Sequence, residues 1–101
     1  MVQIDYYIKC FDETNEIAKT SYFAAEPITL NDLISCFPFK GKYHFRYKLS
    51  KDDCKNYKKI SISEDYVWVD ILSNSDTIIY NPNKSNVIEI QALVNILYHL
   101  Q

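Results

Sequence analysis

The sequence predicts an α+β fold, a small mixed sheet packed by one helix, with a further helix appended at the C-terminus. Three patterns carry that expectation. Tyr43, Phe45, Tyr47 and Leu49 alternate with His44, Arg46 and Lys48, the period-2 signature of a strand with one buried and one wet face. Beyond Pro27, Leu30, Leu33, Ile34 and Phe37 recur at spacings of three and four, which gathers them into one apolar helical stripe. From Asn86 onward Val87, Ile90, Val94 and Leu97, with Leu93 and Leu100 beside them, have the spacing of an amphipathic helix.

Val2 to Phe11 opens the chain as a strand, with Val2, Ile4, Tyr6 and Ile8 alternating against Gln3, Asp5, Tyr7 and Lys9. Asp12-Glu13-Thr14-Asn15 makes an acidic turn, and Glu16 to Ala24 returns antiparallel as a hairpin. Thr29 then caps a helix, with Asp32 in its positively polarised first turn, and Pro38 stops it about two turns in. Gly41 turns the chain into the alternating strand, and Lys51 to Asn56 is a polar loop. Tyr57 to Ile62 is expected to be a further strand with Ile60 and Ile62 inward. Tyr66 to Leu72 is a short extended piece and Thr77 to Tyr80 a β-branched strand, with turn residues on either side. Asn86 and Glu89 fit a capping box for the last helix. Asn81 to Ser85 is the one boundary expected, dividing a core domain at 1–82 from the helix at 83–101.

With 101 residues, 48% of them hydrophobic, the chain suffices for one core and not for two. The formal charge of -2 leaves no globally basic surface to attract a phosphate backbone, so nucleic acid is not an expected partner. No segment approaches the roughly 18 apolar residues that span a bilayer, and no secretory leader pattern opens the chain, so a cytoplasmic protein is expected. Cys10, Cys36 and Cys54 lack metal-ligand spacing, which argues against a structural zinc site. Cys10 and Cys36 read as small core residues and Cys54 as a loop thiol in a reducing compartment.

Catalytic material is sparse. His44 lies on the wet face of its strand and His99 near the end of the last helix, neither beside a nucleophile motif, so both read as solvated. Gly41 is the only glycine, which rules out a phosphate-cradling loop or dinucleotide fingerprint, since each needs several positions without a Cβ. The acids cluster in turns and form no calcium loop. No enzyme, cofactor or metal is expected.

The order strand, strand, helix, strand, strand, strand is that of a small fold resembling ubiquitin. Within it, Ile28-Thr29-Leu30-Asn31-Asp32-Leu33 resembles the [IV]-T-L-x-[DQ]-F helix start of the DIX domain family of Dishevelled, Axin and coiled-coil relatives. Lys40-Gly41-Lys42-Tyr43-His44-Phe45-Arg46-Tyr47-Lys48 is similar to that family's K-G-x-Y-x-[FY]-x-[FY]-K strand, and the Tyr6-Tyr7 strand with its Asp12-Glu13 turn also fits. The resemblance covers roughly Val2 to Pro82.

It implies a module that associates with itself head to tail, forming filaments that concentrate other proteins, and that pairs with other DIX-like proteins. Its head centres on an aromatic residue of the second strand, which an ungapped count from the T-L-x-D motif places at Ile17, where isoleucine keeps apolar contact and loses the hydroxyl. Asp12, Glu13, Glu16 and Lys19 surround that position. The family's tail strand, V-V-[KF]-E-E, is placed at Asn56 to Ser61, which assigns Lys55, Tyr57, Lys58 and Lys59 to the tail, with lysines where the family often has glutamates. An acidic head hairpin and a basic tail are complementary, although solvated loops and a lysine-guarded edge strand would show the same composition. Val87, Ile90, Val94 and Leu97 are expected to form a second oligomerisation element. The alternative is a PB1-like hetero-interaction module, whose acidic loop Asp52-Asp53 or Glu64-Asp65 resembles only loosely and without Gly-Asp spacing.

Overall fold

A computed structural model describes residues 2–10, 18–79 and 86–94. Among them, five strands form one sheet in the order β2-β1-β5-β3-β4: β1 Val2–Cys10, β2 Ala18–Ala24, β3 Tyr43–Ser50, β4 Tyr66–Asp70 and β5 Val87–Val94. β1 and β5 run parallel, and the other pairings are antiparallel. α1, Leu30–Cys36, covers one face. A mixed sheet carrying one helix is compatible with a small ubiquitin-like fold.

α1 begins as the sequence predicts. The Thr29 hydroxyl accepts from the Asp32 amide at 3.3 Å, and the Asp32 carboxylate accepts from the Thr29 amide at 2.8 Å, a reciprocal capping box. Leu33 is fully buried, whereas Ile34 on the expected stripe is 54% exposed. Beneath the helix, Phe37 stacks edge-on against Tyr43 and Phe45, with centroids 4.7 and 5.5 Å away, and meets Tyr6 at 5.1 Å. These rings close the core at one end of the sheet.

The C-terminal segment departs from expectation. Val87–Val94 is no helix but the central strand, buried between β1 and β3. Ile88, Ile90 and Ala92 face the core, and on the other face Gln91 and Leu93 are buried too. Ile88, Ile90 and Ala92 alternate with Glu89 and Gln91 as a strand should, but Leu93 and Val94 interrupt the period and the apolar positions match helical spacing as well. The β-branched Val87, Ile88, Ile90 and Val94 are what favoured the strand. The appended helix is therefore corrected through Val94. Leu97, His99 and the expected boundary at Asn81 to Ser85 lie outside the described residues.

The segment after β3 is the second correction. Tyr57 to Ile62 forms no strand. A helical turn, α2 at Lys51–Asp53, passes directly into a wider π-helical turn at Cys54–Lys58. The Ser50 side chain accepts from the Asp53 amide at 3.1 Å, a cap hidden in a stretch that reads as polar loop. Lys59 ends the turn at φ 58°, and the Ile60 amide returns to the Cys54 carbonyl at 3.1 Å. The turn buries Cys54, 3% exposed, so the expected loop thiol is a core residue while Cys10 and Cys36 are half-buried.

Tyr66–Asp70 is extended as predicted, but Thr77 to Ile79 joins no strand, and Tyr80 lies outside the described residues. Ile78 reaches the core from an irregular segment. The Asp76 carboxylate holds the preceding turn by accepting from the amides of Leu72 and Ser73 at 2.7 and 3.1 Å.

Candidate interaction surfaces

The strand order places β2 and β4 at opposite edges of the sheet. An edge strand presents backbone donors and acceptors that another strand can pair with. On β4 the Ile71 amide, just beyond the strand, donates to the Phe45 carbonyl of β3 at 3.0 Å. Antiparallel alternation then turns the amides of Val67 and Val69 toward β3, and those of Tyr66, Trp68 and Asp70 outward. On β2, Phe23 is 62% exposed, and Ser21 donates to the buried Asp5 carboxylate of β1 at 2.7 Å.

The sheet face opposite α1 carries polar side chains that tie the strands together. Tyr7 of β1 donates to Glu89 Oε1 of β5 at 2.9 Å, while Glu89 Oε2 lies 3.2 Å from Lys48 Nζ of β3. That ammonium sits 4.2 Å above the Tyr66 ring of β4, and Tyr66 packs edge-on against Trp68 with centroids 6.1 Å apart. Nearby, Arg46 donates to the Gln91 side chain, and His44 Nε2 lies 2.7 Å from Asp70 Oδ1. His44, expected to be solvated, thus links β3 to the edge strand. No group of three or more His, Cys, Asp or Glu among the described residues could hold a metal.

Among the described residues, two titratable groups are displaced by the fold, both phenols. Burial pushes the Tyr6 hydroxyl far above its ordinary range, aided by Cys36, Tyr22 and Asp32, and that hydroxyl donates to the Leu33 carbonyl at 2.8 Å. Burial raises Tyr47 as well, offset in part by the nearby Ile79 backbone, although the buried hydroxyl makes no hydrogen bond. Both rings are structural.

Of the residues assigned to the head, Asp12, Glu13, Glu16 and Ile17 lie outside the described residues, and Lys19 stands in β2 opposite Tyr7. The tail residues Lys55, Tyr57 and Lys58 fall in the π-helical turn and Lys59 directly after it, all exposed. They are not on an edge strand. The turn does abut one, because the Lys51 amide donates to the Asp65 carbonyl at 2.8 Å, immediately before β4. Val87, Ile90 and Val94, expected on an oligomerisation helix, are consumed by the sheet interior. Asp53 is buried, so the Asp52-Asp53 pair offers no fully exposed acidic face of the PB1-like kind.

Sequence reasoning missed Tyr66, Trp68, Lys48 and Glu89. The signal was available in part: Tyr66-Val67-Trp68-Val69-Asp70 alternates, and only a strand pairs that alternation with a wet aromatic face.

At one end of the helix-covered face, Ile34, Phe37, Phe39, Gly41 and Tyr43 line an apolar groove of about 290 Å³. Gly41 adopts φ 118°, which a side chain would disfavour. No helix among the described residues is long and apolar enough to cross a membrane.

The family model described as DIX domain matches residues 1–88. No curated protein and no solved structure matches the chain.

Proposed function

The chain belongs to the DIX domain family, a family of protein-interaction modules, and we propose that it is a cytoplasmic scaffold that assembles with itself head to tail into filaments. The observation that carries this reading is the pair of edge strands, β2 and β4, on opposite sides of the one sheet that the described residues form. Contact between two different edges is heterologous, so each added copy presents a fresh edge and the assembly propagates.

The head is the β2 hairpin, with Asp12, Glu13, Glu16, Ile17 and Lys19. The tail is the β4 edge, rimmed by the basic turn that carries Lys55, Tyr57, Lys58 and Lys59. In this reading the tail strand lies later in the chain than Asn56 to Ser61, since Tyr66–Asp70 is an edge strand while Cys54–Lys58 is a π-helical turn and the residues between the two form no strand. Acidic head and basic rim attract one another, which favours joining head to tail over joining like edges.

Light scattering against concentration is the direct test. Average mass should climb continuously without a plateau, and Ile17→Asp or Trp68→Pro should abolish the climb. A monomer at every concentration into the millimolar range, or a plateau at a fixed small oligomer, contradicts the proposal.

A further inference from the structure

Glu89 belongs to the central strand, two strands away from the β4 edge, yet its carboxylate bears on that edge. Oε1 accepts from Tyr7 and Oε2 lies 3.2 Å from Lys48 Nζ, with both partners of the ion pair about one-third exposed. Lys48 stands opposite Trp68 in the β3–β4 register, and its ammonium is held 4.2 Å from the centroid of Tyr66. A lysine left alone on a wet face keeps its rotamer freedom and spends it in water. The carboxylate confines it over one ring. Tyr66, 43% exposed and packed against Trp68, is on the open face of the edge strand, where an incoming strand makes its cross-strand side-chain pairs.

We propose that Glu89 is a positioning residue for the tail: by pinning Lys48 over Tyr66 it fixes the aromatic face with which β4 receives the β2 strand of a second copy. The inference rests on the edge reading above and names the side chains that make that edge selective. Replacing the carboxylate leaves the ladder of β5 intact but releases the lysine. Tyr66 then meets the incoming strand without a fixed orientation, and the cost falls on association.

The test uses two copies that can each use one edge only. A copy with Ile17→Asp retains its tail, and a copy with Trp68→Pro retains its head, so together they form one heterodimer measurable by sedimentation equilibrium. Glu89→Gln in the tail-donating copy should weaken the heterodimer about threefold or more, on the scale of a lost cation–aromatic contact. The same substitution in the head-donating copy should leave it unchanged. Lys48→Met should reproduce this asymmetry, which keeps the test intact should Glu89→Gln disturb folding. Equal weakening from either copy marks a merely structural role and overturns the assignment, as does no weakening from the tail copy. No heterodimer even with Glu89 and Lys48 intact overturns the edge reading itself, and the assignment with it.

Discussion

Tyr6 and Ile90 are neighbours in the parallel pairing of β1 with β5, and both are fully buried. Ile90 also faces Tyr47 across β3, so one isoleucine from a segment patterned like a helix joins the two halves of the sheet. Truncating it leaves a cavity that strands on both sides cannot close without breaking register. Ile90→Ala should therefore lower stability by about 2–5 kcal/mol. Denaturant unfolding measures this, and a loss well under about 1 kcal/mol is the size expected of a surface site.

Hydrogen exchange gives a separate reading of the same strand. The amides of Ile90 to Val94 lie where β5 is paired with β1 on one side and β3 on the other. They should be among the slowest in the chain, opening only with global unfolding. Fast exchange there would restore the helix that the spacing suggested.

At the other side of the core, the capping box of α1 is a local device with a local cost. Thr29→Ala removes the acceptor of the Asp32 amide and should destabilise the protein by about 1 kcal/mol. Thr29→Ser should restore most of the loss, since it keeps the hydroxyl.

The buried phenols set the alkaline limit. Tyr6 and Tyr47 are raised in the folded chain, chiefly by burial, above the value of about 10 that a tyrosine has when unfolded. Above that pH the unfolded chain has released protons that the folded one still holds, so the slope of stability with pH is negative. Stability from these groups is fully present below about pH 10 and declines as pH rises toward their folded values. An ultraviolet titration should show the exposed tyrosines ionising first, with Tyr6 and Tyr47 following only as the fold is lost. Tyr6→Phe should remove part of this alkaline sensitivity, and should cost about 1–3 kcal/mol at neutral pH by leaving the Leu33 carbonyl without its hydroxyl donor.

Thiol reactivity separates the cysteines. Cys54 is buried under the π-helical turn, whereas Cys10 and Cys36 are half-buried. A thiol reagent should modify Cys36 and Cys10 in the native protein and Cys54 only at the rate of unfolding. Early modification of Cys54 would mean that the turn opens independently of the core.

What the sequence disclosed follows from what each residue faces. β1 and β3 keep one face against α1 and one against polar side chains, so Tyr43 to Leu49 shows its period openly. Thr29 and Asp32 mark the start of α1 because a cap is a short-range bond between neighbours. β5 was hidden, since its Ile88-Glu89-Ile90-Gln91-Ala92 alternation is short and ends at Leu93 and Val94, while its apolar positions also fit helical spacing. The turn after β3 was hidden for the opposite reason: its lysines are exposed, and only Ser50, Asp53 and Cys54 betray a helical path. The candidate tail suffered from that miss. Its basic residues have a strand-like pattern in the sequence, while the edge strand itself shows only as a short extended piece. Glu89 could not have been placed from sequence, because its partners Tyr7 and Lys48 stand 82 and 41 positions away and meet it only through the β1-β5-β3 order.

The central claim is that one edge of the sheet receives the other. The most direct measurement is sedimentation equilibrium of Ile17→Asp, Trp68→Pro and their equimolar mixture. Each variant alone should remain a monomer and the mixture should form a one-to-one heterodimer that grows no further, since each copy contributes one working edge. A mixture that stays monomeric while the unmodified chain assembles, or either variant assembling alone, would contradict the account.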